Sequence, residues 1–216
     1  MPSVFVTGAT GYIGSRLVPA LTSRGHRVIA LVRAGSESKA PADCDVVVGD
    51  PFNRATFADA IAAGDTVVQL VGVAKPSPSK AQQFRDIDLR SALETIAAAS
   101  SAKAGHFVYV SVAQPAPVMV AYQSARRQAE EALSATGLRR TILRPWYVLG
   151  PGHRWPYVLL PMYWVMEQLP STRERAQRLG LVTIDQMIAA LVHAIEHPPP
   201  DARIVSAFQI RMTTHS

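Results

Sequence analysis

Residues 4–17 read "VFVTGATGYIGSRL", with Gly8, Gly11 and Gly14 lying between a short apolar run and the start of a helical pattern. A tight turn out of a strand calls for glycine, and so does close approach of main chain to a bound pyrophosphate. The third glycine allows close packing of the helix on the strand. The helix N-terminus then presents unpaired N–H groups and the positive end of its dipole to an anion. A turn that is glycine-rich for steric reasons alone has the same spacing. The strand before the turn, the helix after it and the βαβ units further along the chain favour the phosphate-binding reading.

Short apolar runs alternate with longer helical patterns. Strands are expected at Val4–Thr7, Arg27–Val32, Asp45–Val48, Thr66–Val71, His106–Ser111 and Arg139–Leu143. Helices are expected at about Tyr12–Arg24, Asn53–Ala63, Ala81–Lys103 and Val120–Thr136. Such alternation makes βαβ units and a parallel sheet covered on both faces. Val4, Val6, Ile29, Leu31, Val67, Val108 and Val110 are its candidate core. Beyond Gly150 the alternation stops. A helix at about Thr183–His197 ends before three prolines, and a strand is expected at Arg203–Phe208. The fold class is therefore α/β, a doubly wound parallel sheet (Rossmann fold). Residues 1–150 form a dinucleotide-binding domain, and 151–216 a small C-terminal extension that packs on it.

Composition narrows the function classes. Of 216 residues, 48% are hydrophobic and 18% charged, as expected of a chain that buries a core. The net charge of +6 invites a nucleic-acid partner, but the basic residues are scattered and form no arm, so none is expected. The one cysteine, Cys44, excludes an internal disulfide and a cysteine-based zinc site, and no His, Asp or Glu spacing suggests a metal. No signal peptide is visible, so the expected location is cytoplasmic. The apolar stretch Trp155–Pro170 holds three prolines and Glu167, and is shorter than the ~20 residues that span a bilayer. A pocket wall, a face between chains or a peripheral membrane contact remain open for it, as does the oligomeric state.

The end of the second strand tests the nucleotide. An NAD site usually places an acid there to hold the ribose 2′-OH. This chain has Arg33, which cannot accept from a hydroxyl but can pair with a 2′-phosphate. The expectation is NADP(H), with NAD(H) second, and with Arg16 on the first helix turn assisting. An ordinary solvated strand-end charge is the plainer reading of Arg33.

"TGATGYIG", "VVVGD" (46–50), "VYVSV" (108–112), "YQSAR" (122–126) and "TILRPWYVLGPG" (141–152) together resemble the short-chain dehydrogenase/reductase superfamily. The closest likeness is to its extended or atypical branch, with the NmrA-like proteins and those related to the complex I 39-kDa subunit. The resemblance runs through residues 3–152 and more weakly through 181–208. It implies that Gly8, Thr10, Gly11, Tyr12, Ile13 and Gly14 line the pyrophosphate and that Arg33 meets the 2′-phosphate. Asp50 and Pro51 would meet the adenine. Leu70, Val71 and Gly72 would border the ribose and nicotinamide ribose, and Pro145 the nicotinamide. It further implies catalytic roles for Ser111, Tyr122 and the residue at 126.

That last position departs from the pattern. In active members a lysine one helical turn after the tyrosine lowers its pKa and relays protons. Here Arg126 supplies the charge but, with a pKa above about 12, releases no proton readily. Plainer readings remain open for all three residues. Ser111 is also a strand-end hydroxyl, and Tyr122 a helix-start aromatic. Arg126 and Arg127 are spaced for i,i+4 ion pairs with Glu130 and Glu131.

Six of the nine Trp and Tyr residues fall between Trp146 and Trp164, beside the expected nicotinamide end. Two functions are consistent with these features. One is an NADP(H)-dependent oxidoreductase acting on an apolar carbonyl or alcohol. The other is an NADP(H)-binding redox sensor or assembly protein without turnover, contacting a partner protein through 155–170.

Overall fold

Strands that read as unbroken apolar runs are buried on both faces. The computed structural model describes residues 3–116, 118–151 and 180–213. In it β1 (Val4–Thr7), β2 (Val28–Val32) and β5 (His106–Val110) are buried along their whole length. With β3 (Asp45–Val48), β4 (Thr66–Gln69), β6 (Arg140–Arg144) and β9 (Ala202–Ser206) they form one parallel sheet, ordered β3-β2-β1-β4-β5-β6-β9. The order reverses at β1 and β4, which pair in register from Val4 opposite Thr66 to Thr7 opposite Gln69. In an open α/β sheet, ligands bind at the carboxyl ends of the strands at such a reversal.

Alternate residues of each strand feed two cores. Val4, Val6, Ala30 and Val108 pack under α1 (Gly14–Thr22) and α5 (Ile184–Glu196). Phe5, Ile29, Leu31 and Val67 pack under α3 (Arg90–Ser101) and α4 (Val120–Ala135). All seven candidate core residues are buried. Helix α3 follows α2 (Ala81–Gln83) and a π-helical segment, Phe84–Leu89, so one long helical stretch carries a wide turn near its start.

Three segments differ from expectation. Residues 53–63 form two 3₁₀ turns, Arg54–Thr56 and Ala58–Ala60, not an α-helix. Asn53 Oδ1 accepts from the Ala55 N–H, and the Thr56 hydroxyl donates to the Asn53 carbonyl at 2.8 Å. Side chains here take up the groups that a helix would pair, a known competition for these residue types. The last strand ends at Ser206, where a capping box with Gln209 opens α6 (Ala207–Met212). A second, two-stranded parallel pair joins β7 (Tyr147–Leu149) to β8 (Leu181–Thr183). The aromatic stretch 155–170 lies outside the described residues. Among those described, no helix is long and apolar enough to cross a membrane.

One buried group gives the fold an acid sensitivity. His106 is 2% exposed and its Nε2 hydrogen-bonds the Thr141 hydroxyl at 2.9 Å. Burial, reinforced by Arg139 and Arg203, lowers its pKa from 6.5 to about 4. The neutral ring therefore contributes stability that is full above pH 6.5, declines progressively as the pH falls below it, and is gone once the pH has fallen through 4. That contribution is on the order of 3 kcal/mol. Urea denaturation at pH 7 and pH 4.5 should show His106→Gln losing less stability on acidification than the parent by roughly this order. An equal loss in both proteins would count against it.

Candidate functional site

The turn after β1 builds the floor of a cleft. Gly8 has φ +70°, and the Gly11 N–H donates to its carbonyl at 3.0 Å. A Cβ on Gly14 would lie 2.7 Å from Ala9 Cα, so only glycine lets α1 start this close to the strand. No side chain caps the N-terminus of α1, and no acid sits in its first turn. The Ser15 and Arg16 N–H groups donate to the Gly11 and Ile13 carbonyls, so what the helix offers an anion in the cleft is chiefly the positive end of its dipole, with no acid to oppose it.

From this turn an outer cleft of about 480 Å³ extends over the strand ends to Arg33, Pro51 and Phe52. Its described lining holds the cations Arg33 and Lys80 and no carboxylate. An inner recess of about 310 Å³ continues past Gly8, Gly11, Leu70 and Gly72, which border both. Ser111, Tyr122, Arg126, Pro145 and Trp146 line its far wall. Thr10, Val71 and Pro51 line the outer cleft, and Tyr12, Ile13 and Gly14 the inner recess. Asp50 lines neither; it is exposed, and its Oδ1 accepts from the Phe52 N–H at 2.9 Å. Arg16 also stands aside. Its guanidinium lies 4.4 Å from the centre of the Tyr12 ring and donates to the Tyr12 carbonyl at 2.7 Å.

Helix α4 brings Tyr122 and Arg126 to one face, and neither is an ordinary surface residue. The Tyr122 ring packs 4.9 Å from that of Phe84, centre to centre, with the Arg126 guanidinium 5.2 Å from its own centre. Burial pushes the Tyr122 phenol above its ordinary pKa, against the downward pull of Arg126. Arg126 is 6% exposed. Burial alone would favour its neutral form, but Tyr122, Tyr109 and Asp88 around it outweigh that and raise its pKa further. It stays charged.

The expected i,i+4 pairs are replaced by partners from elsewhere in the chain. Arg126 pairs with Asp88 at 2.6 Å, and Arg127 donates to Gln114 at 3.2 Å. Glu130 turns inward, pairs with Arg144 at the end of β6, and accepts from Gln114 and from the Ser111 hydroxyl. Ser111 thus lines the recess with its hydroxyl already engaged. Local spacing points to Glu130 only as a surface partner of Arg126, and to Asp88 and Arg144 not at all. For Asp88 a signal exists: with Ser91 and Thr95 it places polar residues at helical spacing on a buried face.

A family model described as NAD(P)H-binding matches residues 8–158. A divinyl chlorophyllide a 8-vinyl-reductase of Zea mays is 33% identical over 150 residues, 63% of this chain and 37% of the relative. A ceramide reductase of Caulobacter vibrioides is 28% identical over 191 residues, 88% of this chain and 59% of the relative. The chain therefore spans less than two thirds of the length of either. Among solved structures, the Bordetella bronchiseptica enzyme WbmH in complex with NAD+ superposes with a TM-score of 0.69 at 20% identity, covering 96% of this chain and 76% of that one. The UDP-N-acetylglucosamine 4-epimerase from Bacillus cereus does so with a TM-score of 0.70 at 15% identity, covering 98% and 82%. At such identities the superpositions speak for the Rossmann fold. The family match spans the glycine turn, the cleft and both sides of the inner recess, and the chain belongs to the NAD(P)H-binding family of short-chain dehydrogenase/reductase-like proteins.

Proposed function

We propose that the protein binds NADP(H) along the whole cleft and works as an oxidoreductase on an apolar carbonyl or alcohol, most readily as a reductase. The observation that carries this reading is the continuity of the cleft, from Arg33 at one end, over the glycine turn, to Tyr122 at the other. Arg33, in a cleft whose described lining holds no carboxylate, favours a 2′-phosphate over a bare ribose hydroxyl. The α1 N-terminus would hold the pyrophosphate.

When bound, the dinucleotide supplies hydride to the substrate carbon or accepts it. Tyr122 holds the proton that must meet the substrate oxygen. With its pKa raised by burial it is protonated at neutral pH, which suits donation and so reduction. Arg126 supplies a fixed positive charge beside it. Trp146, Tyr147 and Val148 on the recess wall support an apolar substrate. The names of the relatives, reductases of a chlorophyllide and a ceramide, lean the same way. A cytoplasmic setting belongs to this reading.

One observation favours the second reading, a nucleotide-binding sensor or assembly protein. The Ser111 hydroxyl donates to Glu130, so it is not free to polarise a substrate oxygen. Residues 155–170 are then the proposed contact with a partner protein.

NADPH binding followed by nicotinamide fluorescence should be tighter than NADH binding. Arg33→Ala should weaken NADPH by about tenfold to a hundredfold, the size of a lost charged hydrogen bond. Equal binding of the two nucleotides would refute the assignment of Arg33. In a screen of apolar carbonyl substrates, Tyr122→Phe should cut NADPH oxidation by about a hundredfold or more while leaving NADPH affinity within a few fold. Tight binding with no Tyr122-dependent turnover would decide for the second reading.

A further inference from the structure

The ladder between β4 and β5 ends at Gln69 opposite Tyr109. Beyond it Gly72 and Val73 on one chain segment, and Val110 and Ser111 on the other, border the inner recess. Asp88 and Arg126 bridge the two. Asp88 is fully buried and is delivered by the π-helical segment, whose wide turn is a feature frequent at functional sites. One carboxylate oxygen accepts from Arg126 Nη2 at 2.6 Å, and the other from the Val73 N–H at 3.0 Å. Arg126 Nη1 donates onward to the Val110 carbonyl at 2.9 Å. A side chain at Gly72 would collide with the guanidinium.

Burying such a pair is a poor way to gain stability, because apolar side chains of similar volume often serve as well or better. What it does here is geometric. It ties the main chain after β4 to the last residue of β5 by a bridge of fixed length.

We propose that Asp88 is a positioning residue of the inner recess. With Arg126 it forms a charged strut that sets the spacing between Gly72–Val73 and Val110–Ser111, and with it the fit of the nicotinamide ribose. The proposal rests on the nucleotide reading above. Neither Asp88 nor Arg126 lines the outer cleft. Gly72 and Val73 border it only where it meets the recess, and Arg33, Pro51 and Phe52 at its other end are not held by the strut, so loss of the strut should be felt chiefly at the nicotinamide end of the dinucleotide.

The test compares two ligands by titration calorimetry: NADPH, which spans both halves, and adenosine 2′,5′-bisphosphate, which reaches only the outer one. In the double variant Asp88→Leu/Arg126→Met, NADPH should bind at least tenfold more weakly. The bisphosphate should bind within twofold of the parent protein, with the melting temperature unchanged or raised. Unchanged NADPH affinity, or equal weakening of both ligands, would overturn the strut. Should this variant not fold, Asp88→Asn/Arg126→Lys keeps a smaller polar pair and decides the matter. It should weaken NADPH at least threefold and leave the bisphosphate unchanged, and any other pattern counts against the proposal. If the parent protein binds neither ligand, the nucleotide reading has failed and the strut with it. If the parent binds both and the variants match it, only the strut has failed.

Discussion

Helix α1 begins so close to the strand before it that the contact admits no side chain. Gly14 sits over Ala9, and the N-terminus of α1 borders the cleft with neither a side-chain cap nor an acid in its first turn. A β-carbon there would require the helix or the turn to move, at about 1–3 kcal/mol for a typical overpacked site. The rest of the cleft is laid out from this contact. It fixes where an anion is attracted, and the sheet order fixes that this point lies between β1 and β4. On the proposed reading the adenosine half extends towards β2 and β3, and the nicotinamide half towards β5 and β6.

The two halves are built by different chemistry. The outer one is bordered by main chain, by exposed cations and by side chains of the loop after β3, and it owes little to long-range pairing. The inner one stands on buried charge. Asp88, Arg126 and Glu130 are buried and Arg144 is half-buried. They come from the π-helical segment, α4 and β6 and form two ion pairs, one reaching the recess through Arg126 and the other behind Ser111. Such pairs tolerate no unpartnered member, since a lone buried charge is heavily penalised. A recess wall made this way is stiff, and its shape depends on every partner being present.

This division explains what was legible in the sequence. Strands β1, β2 and β5 were plain because a strand buried on both faces must be an apolar run. The glycine turn was plain because backbone geometry alone demands it. Arg33, Pro51, Leu70, Val71 and Gly72 border the cleft from the ends of strands, whereas Lys80, Gln83 and Ile87 reach it from helical segments that no local rule aims there. Residues 53–63 were misread because Asn53 and Thr56 satisfy main-chain groups locally, which apolar periodicity does not register. Helix α6 was readable in principle from Ser206 and Gln209, whose spacing is that of a capping box. The partners of Arg126 and Glu130 were not. Local rules offer each to the other, four residues apart, and the tertiary alternatives lie 38 and 14 residues away. Local spacing predicts a surface ion pair worth a few tenths of a kcal/mol. Burial replaces it with pairs on which the recess depends.

The arginine at 126 takes on a different meaning in that setting. As a surface cation it would be a weak stand-in for a lysine. Locked between Asp88 and the Val110 carbonyl, it is a fixed charge that neither swings towards a ligand nor gives up a proton. A proton leaving Tyr122 must then be replaced by some route that does not pass through Arg126. Tyr122 borders a recess that opens to solvent, so a route through water fits the proposed reading. A site of this kind holds its proton firmly and refills it from outside. That suits slow, one-directional reduction, or a bound nucleotide whose redox state is sensed and not consumed. The shared feature of both readings is the same pair of buried charges, which sets where the nucleotide sits before it sets what is done with it.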